Sequence, residues 1–522
     1  MRPSRPQRAA AGGDWLPLTV TGDLSVNEKA AGTSVSSSTE KEVVHPGGIQ
    51  IAGTSRDVFV VENEIDRAGR NGITLGGLSI LDANGNDTGE IVGVLIVEEG
   101  PCDTTVTLHV PGTRPGDPGG RVVASGKLTN IQINRNRISN CGLCGIGPVG
   151  FFDLAQVFEV INIENLSITA NTISKTVLRP LAARVQRTSI FGYAAICVPD
   201  VENLVLRDNN ITDFGPQPGA QVCGVFILNG QMVEISRNRV IEGRDWNLTS
   251  SDEAPSGGGS RGGIVVLTVT PPAFTTPASL FTSLAAFGAE NTPAVYEPGL
   301  PALRVEHNVV RVPLGEALEV FGFGPFSIVN NHLSCGGTAK AAGRPLAETV
   351  LILNLGTALE AAHPAGKFAS VTNVEYVSFL KNVNRPFAGS PTGAVIFTNN
   401  ICELEASVSE RKCISSVTVF SLDDLIFANN QCWLDGPRET ALMDAWVRAG
   451  SLQVISNRFQ EGLGSPVVLS GFTLGHLNIT MQNISTYCLI AKGISQPAID
   501  TNNLVALSNK GICEALARQL HL

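Results

Sequence analysis

Residues 58–65 read Val58-Phe59-Val60-Val61-Glu62-Asn63-Glu64-Ile65, and the pattern in this stretch decides the fold. Two alternating apolar residues are followed three positions later by an asparagine, and another apolar residue closes the phrase. The phrase occurs ten times, with the asparagines Asn63, Asn136, Asn171, Asn209, Asn238, Asn308, Asn331, Asn400, Asn430 and Asn457. Successive asparagines are 23 to 38 residues apart, except for three gaps of 69 to 73 residues. Spacing of this length is typical of a solenoid, in which each repeat stacks on its neighbours.

The apolar residues of each repeat alternate, which is the period of a β-strand and not of a helix. A second apolar run follows each phrase and often opens with a small residue, as in Gly72–Leu75 and Gly263–Leu267. The small residue lets the chain turn the corner of a coil closely. We therefore predict an all-β parallel β-helix, in which every strand pairs with its equivalent in the next coil.

The asparagine follows the first strand, where the chain has to turn sharply. Asparagine tolerates left-handed backbone angles, and its side chain bonds its own backbone. Stacked on successive coils, the amides can also bond one another, as in other stacked β assemblies. We therefore expect the ten asparagines to form a structural ladder and assign them no role in binding or catalysis.

The repeats also suggest the domain organisation. We expect residues 1–46 to form an N-terminal tail with an early strand, 47–508 to form the β-helix, and 509–522 to form a helical cap. Loop insertions are expected at about 78–123, 245–301, 336–348 and 437–450. The last insertion is rich in good helix formers and stops at Gly450, which predicts a short helix. Because insertions of solenoids gather on one face, we expect any site beside the first two of these loops.

Composition and charge exclude several classes of function. The chain has a net charge of -10 and a pI of about 5.3, which argues against nucleic acid as a partner. It contains no apolar run of about 18 residues, so we expect no membrane span. The first residues lack the apolar segment of a secretory signal, so we expect a cytoplasmic protein or export by a non-Sec route. We also expect the eleven cysteines to be reduced.

The asparagine-punctuated coils resemble the right-handed parallel β-helix superfamily, which includes pectate lyases, polygalacturonases and phage tailspikes. The resemblance covers about residues 47–508. Within the superfamily, the chain is similar above all to uncharacterised bacterial right-handed β-helix repeat proteins. Two segments carry the likeness to that group, Asn140–Ile146 and Ser421–Asp424. The resemblance implies a right-handed coil. It implies no particular activity, because many functions share the fold.

Enzymes of this superfamily suggest the candidate catalytic residues. Polygalacturonases use an Asn-Thr-Asp, an Asp-Asp, a Gly-His-Gly and an Arg-Ile-Lys along one face. This chain resembles them only in Asp423-Asp424 and in a partial match at His476. Two carboxylates and a histidine could supply general acid and base catalysis. Adjacent residues of a strand point to opposite faces, however, so Asp423 capping backbone donors at a corner is the favoured alternative.

The sequence gives no metal or cofactor site that we would predict. Cys141 and Cys144 have the spacing of zinc ligands, but no second pair of ligands follows them. A tight corner of the coil is the favoured explanation. No three acids have the spacing of a calcium site such as that of pectate lyases.

Three functions remain open. We favour a non-catalytic β-helix that acts as a structural or spike-like binding module. The alternatives are a polysaccharide lyase or glycoside hydrolase of the pectate-lyase-like superfamily, and a recognition module of a larger assembly. The expected partner is a polysaccharide or a protein. The four tryptophans and four tyrosines are few for a sugar-binding cleft, and the oligomeric state cannot be inferred from the sequence.

Overall fold

The computed structural model describes most of the repeats and parts of the segments between them. The described residues are 18–25, 33–36, 41–45, 48–81, 86–91, 94–97, 107–108, 120–151, 161–178, 193–215, 222–243, 262–270, 301–313, 315–336, 348–354, 393–405, 415–421, 423–435, 441–448, 451–461, 466–472, 476–480 and 488–492. In these ranges every regular element is a β-strand.

The strands are short and follow one another closely along the chain. The first nineteen are β1 (Leu18–Ser25), β2 (Thr33–Ser36), β3 (Lys41–His45), β4 (Ile49–Ile51), β5 (Arg56–Asp66), β6 (Ile73–Leu75), β7 (Leu78–Leu81), β8 (Asp87–Ile91), β9 (Val94–Val97), β10 (Thr107–Leu108), β11 (Gly120–Ala124), β12 (Leu128–Asn134), β13 (Arg137–Ser139), β14 (Ile146–Pro148), β15 (Gly150–Phe151), β16 (Asn162–Thr169), β17 (Thr172–Thr176), β18 (Tyr193–Arg207) and β19 (Asn210–Phe214). The others are β20 (Val222–Ser236), β21 (Arg239–Ile241), β22 (Gly262–Thr270), β23 (Leu303–Glu306), β24 (Val309–Val312), β25 (Glu316–Gly322), β26 (Phe326–Val329), β27 (His332–Cys335), β28 (Val350–Asn354), β29 (Val395–Thr398), β30 (Ile401–Glu405), β31 (Ser415–Ser421), β32 (Leu425–Ala428), β33 (Gln431–Asp435), β34 (Ala441–Arg448), β35 (Ser451–Ile455), β36 (Arg458–Glu461), β37 (Pro466–Phe472), β38 (His476–Thr480) and β39 (Cys488–Lys492).

Most of these strands join one large sheet of 31 strands in which neighbouring coils pair in parallel. Each coil contributes to three faces. Face 1 holds the strand before the ladder asparagine, such as β12, and face 2 holds the strand after it, such as β13. Face 3 holds the strand that opens with a small residue, such as β14. Every pairing joins equivalent strands of adjacent coils, for example β12 with β16 and β13 with β17. The predicted all-β parallel solenoid is therefore confirmed.

The core consists of rows of apolar side chains that run from coil to coil. On face 1, Ile133 pairs with Val60 and with Ile168, and all three are fully buried. The alternate residues, such as Gln132, face outward. This alternation holds along faces 1 and 2, whereas face 3 is buried on both sides in strands such as β25. Burial of this extent is the main source of the stability of the rod.

The ten asparagines form one continuous file of hydrogen bonds. In each coil the side-chain amide donates to the Oδ1 atom of the next asparagine at 2.9–3.2 Å. The backbone N–H of the same residue donates to that Oδ1 atom at 2.9–3.0 Å. From Asn136 onward, the amide also donates to a backbone carbonyl of the preceding coil, as Asn209 does to Ile168. The amides are almost fully buried, so these bonds satisfy groups that water cannot reach.

The backbone at this turn differs from our expectation in one respect. We expected the ladder asparagine itself to take left-handed angles, but the residue before it does so in all ten repeats. Its φ lies between 53° and 58°, as at Arg237 and at Glu62. The side chain of this residue points into solvent, which explains why its identity varies from repeat to repeat. The asparagine keeps ordinary angles and uses its amide for the ladder.

Small residues at the start of face 3 permit close packing against face 2. A Cβ atom added to Gly224 would lie 2.2 Å from Cγ1 of Val240, and one added to Gly263 would lie 2.2 Å from Cγ1 of Val310. Neither contact is possible for a larger residue without displacing a buried valine. The glycines are therefore required by the narrow corner of the coil.

The predicted helix at 437–450 is wrong. Residues 441–448 form β34, which pairs in parallel with β31 and β37. Met443, Ala445 and Val447 are fully buried at every second position, so the segment has the period of a strand. Packing into the stack of face 3 outweighs the helix propensity of the segment. The described residues contain no helix, and the predicted cap at 509–522 lies outside them.

The other expected insertions are described only in part. Within 78–123, β7, β8, β10 and β11 form a small antiparallel sheet. In a second small sheet, β9 pairs antiparallel with β3 and parallel with β15. Within 245–301, β22 belongs to face 3 of the rod and not to an insertion, because it pairs with β20 and β25. Of the segment 336–348, only its two ends are described.

The ladder yields a direct test. We expect Asn209→Ala to lower the free energy of unfolding by roughly 3 kcal/mol, because it leaves several buried donors and acceptors without partners. The urea midpoint of the purified protein measures this loss.

Asn203→Gly in the same coil is the control. Asn203 is exposed, its φ is 59°, and its amide donates to Asn165 at 2.9 Å. Glycine keeps that φ, so we expect a change below about 0.5 kcal/mol. Equal losses in the two variants would contradict a special role for the buried file.

Candidate functional site

The pair Asp423 and Asp424 lies at the corner between β31 and β32. Asp423 is 2% exposed, and its Oδ1 atom accepts a hydrogen bond from the backbone N–H of Asp424 at 3.1 Å. Its own N–H donates to the hydroxyl of Ser421 at 3.2 Å, and that hydroxyl donates to the Asp423 carbonyl at 2.8 Å. These contacts have the form of a local turn in which an aspartate caps a backbone donor.

His476 begins β38, two coils beyond Asp424. Leu425 pairs with Leu452, and Ser451 pairs with His476, so Asp424 and His476 occupy equivalent positions of their coils. With strands about 4.8 Å apart, their backbones are roughly 10 Å from each other. The structure therefore places the backbones of these two residues in one row, two coils apart, and it places Asp423 in the interior. The catalytic role of the three residues stays a prediction.

Cys141 and Cys144 lie at a tight corner between faces 2 and 3. Both thiols are buried. Burial raises the pKa of Cys141 to about 12, and the neighbouring Cys144 contributes to the shift. The backbone N–H of Cys144 donates to Oδ1 of Asn71, which fixes the corner. Thiols of this kind are poor nucleophiles and poor metal ligands. In the part of the chain that the structure describes, no group of three or more His, Cys, Asp or Glu side chains could hold a metal ion.

Two arginines that directly precede ladder asparagines pair with acids of neighbouring coils. Arg135 binds Glu62 at 2.7 Å, and Arg237 binds Asp208 at 2.7 Å. Each ion pair links two coils at the surface. In these two pairs the positive charge of the arginine is compensated by an acid of the adjacent coil.

Sequence reasoning missed a group of buried acids on face 3. Glu316, Glu319 and Glu348 are each less than 10% exposed and lie on two adjacent coils. Burial raises the pKa of Glu348 well above its usual range, and the nearby Glu316 carboxylate adds to the shift. The hydroxyl of Thr418 donates to Oε1 of Glu348 at 3.4 Å. The sequence alone does not show that these acids are neighbours, because more than twenty residues separate Glu319 from Glu348.

An exposed surface on face 2 combines one aromatic ring with polar side chains. We call it the Trp433 surface; it consists of Val309, His332, Glu403, Gln431 and Trp433. Trp433 is 37% exposed and Val309 41%. Nε2 of His332 lies 2.9 Å from Oε2 of Glu403, and Glu403 pairs in register with Trp433 of the next coil. The surface thus offers a ring, a hydrogen-bonded histidine–glutamate pair and an amide within three coils of the rod.

The position of this surface follows from the repeat. Glu403 and Trp433 both hold the third position after a ladder asparagine, where the side chain reaches the surface of face 2 in most described repeats but not at the buried Ser334. The residues on either side of them, such as Cys402 and Cys432, point inward and are buried. Aligning the repeats on their asparagines would have placed Glu403 and Trp433 in one row.

Comparison with known proteins gives little further information. No protein-family model matches the sequence, and no curated protein matches it. Among solved structures, the chain is similar to one described as "Siphovirus 9NA tailspike receptor binding domain", with 10% sequence identity and a TM-score of 0.21. The match covers 92% of this chain and 73% of that chain. A TM-score this low establishes neither a shared fold nor a shared function, so the fold class rests on the strand pairing described above. Among the described residues, no helix has the length and apolarity needed to cross a membrane.

The acids of face 3 lead to a prediction about pH. Because the pKa of Glu348 is raised in the folded state, the contribution of Glu348 to the free energy of unfolding is most favourable below the usual pKa of 4.5. It is lost as the pH rises toward the folded-state pKa. We expect Glu348→Gln to raise the free energy of unfolding at pH 8 by roughly 1–3 kcal/mol, and to have little effect at pH 4. Denaturant unfolding at the two pH values measures this. Glu62→Gln, at an exposed ion pair, should change stability by less than about 1 kcal/mol at both. An equal effect of Glu348→Gln at both pH values would refute the assignment.

Proposed function

We propose that this protein is a non-catalytic β-helix that acts as a structural and binding module, and that the Trp433 surface is where it binds. One observation carries the proposal: an exposed tryptophan lies one coil from the His332–Glu403 pair on a regular strand face. Membership of the right-handed parallel β-helix superfamily is part of the proposal and would explain why a rod serves as the scaffold.

The rod makes this surface rigid. Glu403 and Trp433 follow Asn400 and Asn430, whose amides are bonded to each other and to the next ladder residue. The strands that carry the surface are therefore fixed relative to one another before a ligand arrives. Preorganised side chains lose little conformational entropy on binding, which favours affinity.

The chemistry of the surface suits a ligand with flat apolar faces and many hydroxyl groups. A tryptophan ring offers a broad apolar plane, and Glu403, His332 and Gln431 offer hydrogen-bond donors and acceptors beside it. The exposed apolar residues Val309 and Trp433 are separated by polar side chains and do not form the continuous apolar core of a stable protein interface. We therefore propose a polysaccharide as the partner. A protein partner within a larger assembly is the alternative outcome.

We propose no catalysis because the candidate residues lie on separate coils or in the interior of the rod. Asp423 caps a backbone donor in the interior, and Asp424 is two coils from His476. A pair of carboxyl groups on either side of a glycosidic bond is the usual requirement for hydrolysis. The enzymatic alternative, a polysaccharide lyase or glycoside hydrolase, is decided by experiment.

Trp433→Ala tests the binding surface. Against a panel of acidic and neutral polysaccharides, we expect the unaltered protein to bind at least one, and the variant to bind it at least tenfold more weakly. Ile396→Ala is the matched control, because Ile396 is also 37% exposed but lies on face 1. Affinity electrophoresis or titration calorimetry measures both. Equal losses in the two variants, or binding unaffected by Trp433→Ala, would contradict the proposed surface.

The same panel tests the absence of catalysis. After prolonged incubation we expect neither new reducing ends nor unsaturated products. If products appear, the non-catalytic function is wrong, and Asp423→Ala, Asp424→Ala and His476→Ala identify the residues responsible. Full activity in all three variants would remove them from consideration.

A further inference from the structure

A buried carboxyl group at the corner between faces 3 and 1 has no part in the proposed binding surface. Asp200 lies in the middle of β18, where this long strand bends from face 3 to face 1. It pairs in register with Asn162 of the coil before it and with Asn229 of the coil after it. Asp200 is 3% exposed and Asn229 is 4% exposed. Three polar side chains therefore stack across three coils, with Asp200 and Asn229 buried and Asn162 partly exposed.

The two asparagines hold the two oxygens of the carboxyl group. Nδ2 of Asn162 donates to Oδ2 of Asp200 at 2.6 Å, and Nδ2 of Asn229 donates to Oδ1 at 2.5 Å. The Oδ1 atom of Asn229 is buried and has no hydrogen-bond partner among the described residues. A buried oxygen without a donor costs free energy, so the ionised corner carries an unsatisfied acceptor in addition to a buried negative charge.

The charged groups around Asp200 do not compensate its charge. Lys127 precedes β12 and binds Glu164 of β16 at 2.9 Å and Glu202 of β18 at 3.6 Å. One ammonium group thus faces two glutamates in addition to Asp200. In the described surroundings the balance is one cation to three acids. A proton is the simplest group that reduces this excess of negative charge.

We propose that the file Asn162–Asp200–Asn229 is a proton-operated clamp, which binds one proton at Asp200 in mild acid and then holds three coils together more firmly. The proton comes from solvent and forms an O–H bond on the carboxyl group; no other covalent bond changes. A half-turn of the Asn229 amide exchanges the places of its Nδ2 and Oδ1 atoms. Oδ1 then accepts the new O–H, and Asn162 still donates to the other carboxyl oxygen.

The titration of Asp200 supports this geometry. Burial raises the pKa of Asp200 from 3.8 to about 6, although the amides of Asn162 and Asn229 act in the opposite direction. The folded chain therefore holds this proton more tightly than the unfolded chain. The stabilisation is complete below pH 3.8 and declines as the pH rises from there to about 6. Across that interval Asp200 alone should lower the folding equilibrium constant roughly a hundredfold.

Urea unfolding of the full chain between pH 3.5 and pH 8, as wild type and as Asp200→Asn, tests the clamp. We expect the wild type to lose stability as the pH rises to about 6, and the variant to lack the roughly hundredfold part due to Asp200. Glu62→Gln is the control: Glu62 forms an exposed ion pair with Arg135 away from this corner, and its variant should keep the wild-type slope. A difference between wild type and Asp200→Asn that does not change with pH would overturn the proposal.

Infrared spectroscopy of the wild type provides a second test that does not require the variant to fold. With carbon-13 in the aspartate carboxyl groups, we expect one protonated aspartate band at pH 5 that disappears as the pH rises through about 6. Complete ionisation of all aspartates at pH 5 would also overturn the proposal. Both tests are independent of polysaccharide binding, because Asp200 lies on different strands from the Trp433 surface.

Discussion

The structure depends on the hydrogen bonds by which each ladder asparagine closes one coil onto the next. At this turn the backbone leaves the strand pattern, and a buried N–H would otherwise have no partner. The Oδ1 atom of the following asparagine accepts it, and the amide bonds a carbonyl of the preceding coil. Because unsatisfied buried groups cost roughly 1–3 kcal/mol each, replacing this asparagine with a residue that cannot make these bonds destabilises the fold. The same amide therefore satisfies the turn and fixes the register of neighbouring coils.

Fixed register determines where the chain can carry function. On faces 1 and 2, one side chain in two points outward, so outward rows run along the rod at the spacing of the coils. Face 3 is buried on both sides, so polar residues there lie in the interior. Glu348 and Asp200 are buried with raised pKa values, whereas Trp433 and Glu403 reach solvent. Residues of similar chemistry thus have different roles because of the face on which they lie.

The sequence predicted what is local to one repeat and failed where several repeats meet. The alternating residues of each phrase predicted the strands and their stacking into a parallel solenoid correctly. The helix at 437–450 was predicted from the residue preferences of one segment, and its neighbours in the stack made it a strand. We expected left-handed backbone angles at the asparagine, but the residue before it adopts them. The expectation considered only the turn and not the hydrogen bonds of the ladder. Glu316, Glu348 and the two Asn neighbours of Asp200 come together only through stacking.

The presence of buried acids in such a rod has a physical explanation. A solenoid adds apolar core with every coil, and each coil is tied to two others, so a local penalty is shared by a large cooperative structure. An ionised Asp200 opposes folding at neutral pH, yet the ladder beside it, at Asn171, Asn209 and Asn238, is fully bonded. The hydrogen bonds of the ladder keep the coils in register, while the file Asn162–Asp200–Asn229 responds to protons. Stability and sensitivity to pH can therefore lie on the same strands, because separate corners of one coil provide them.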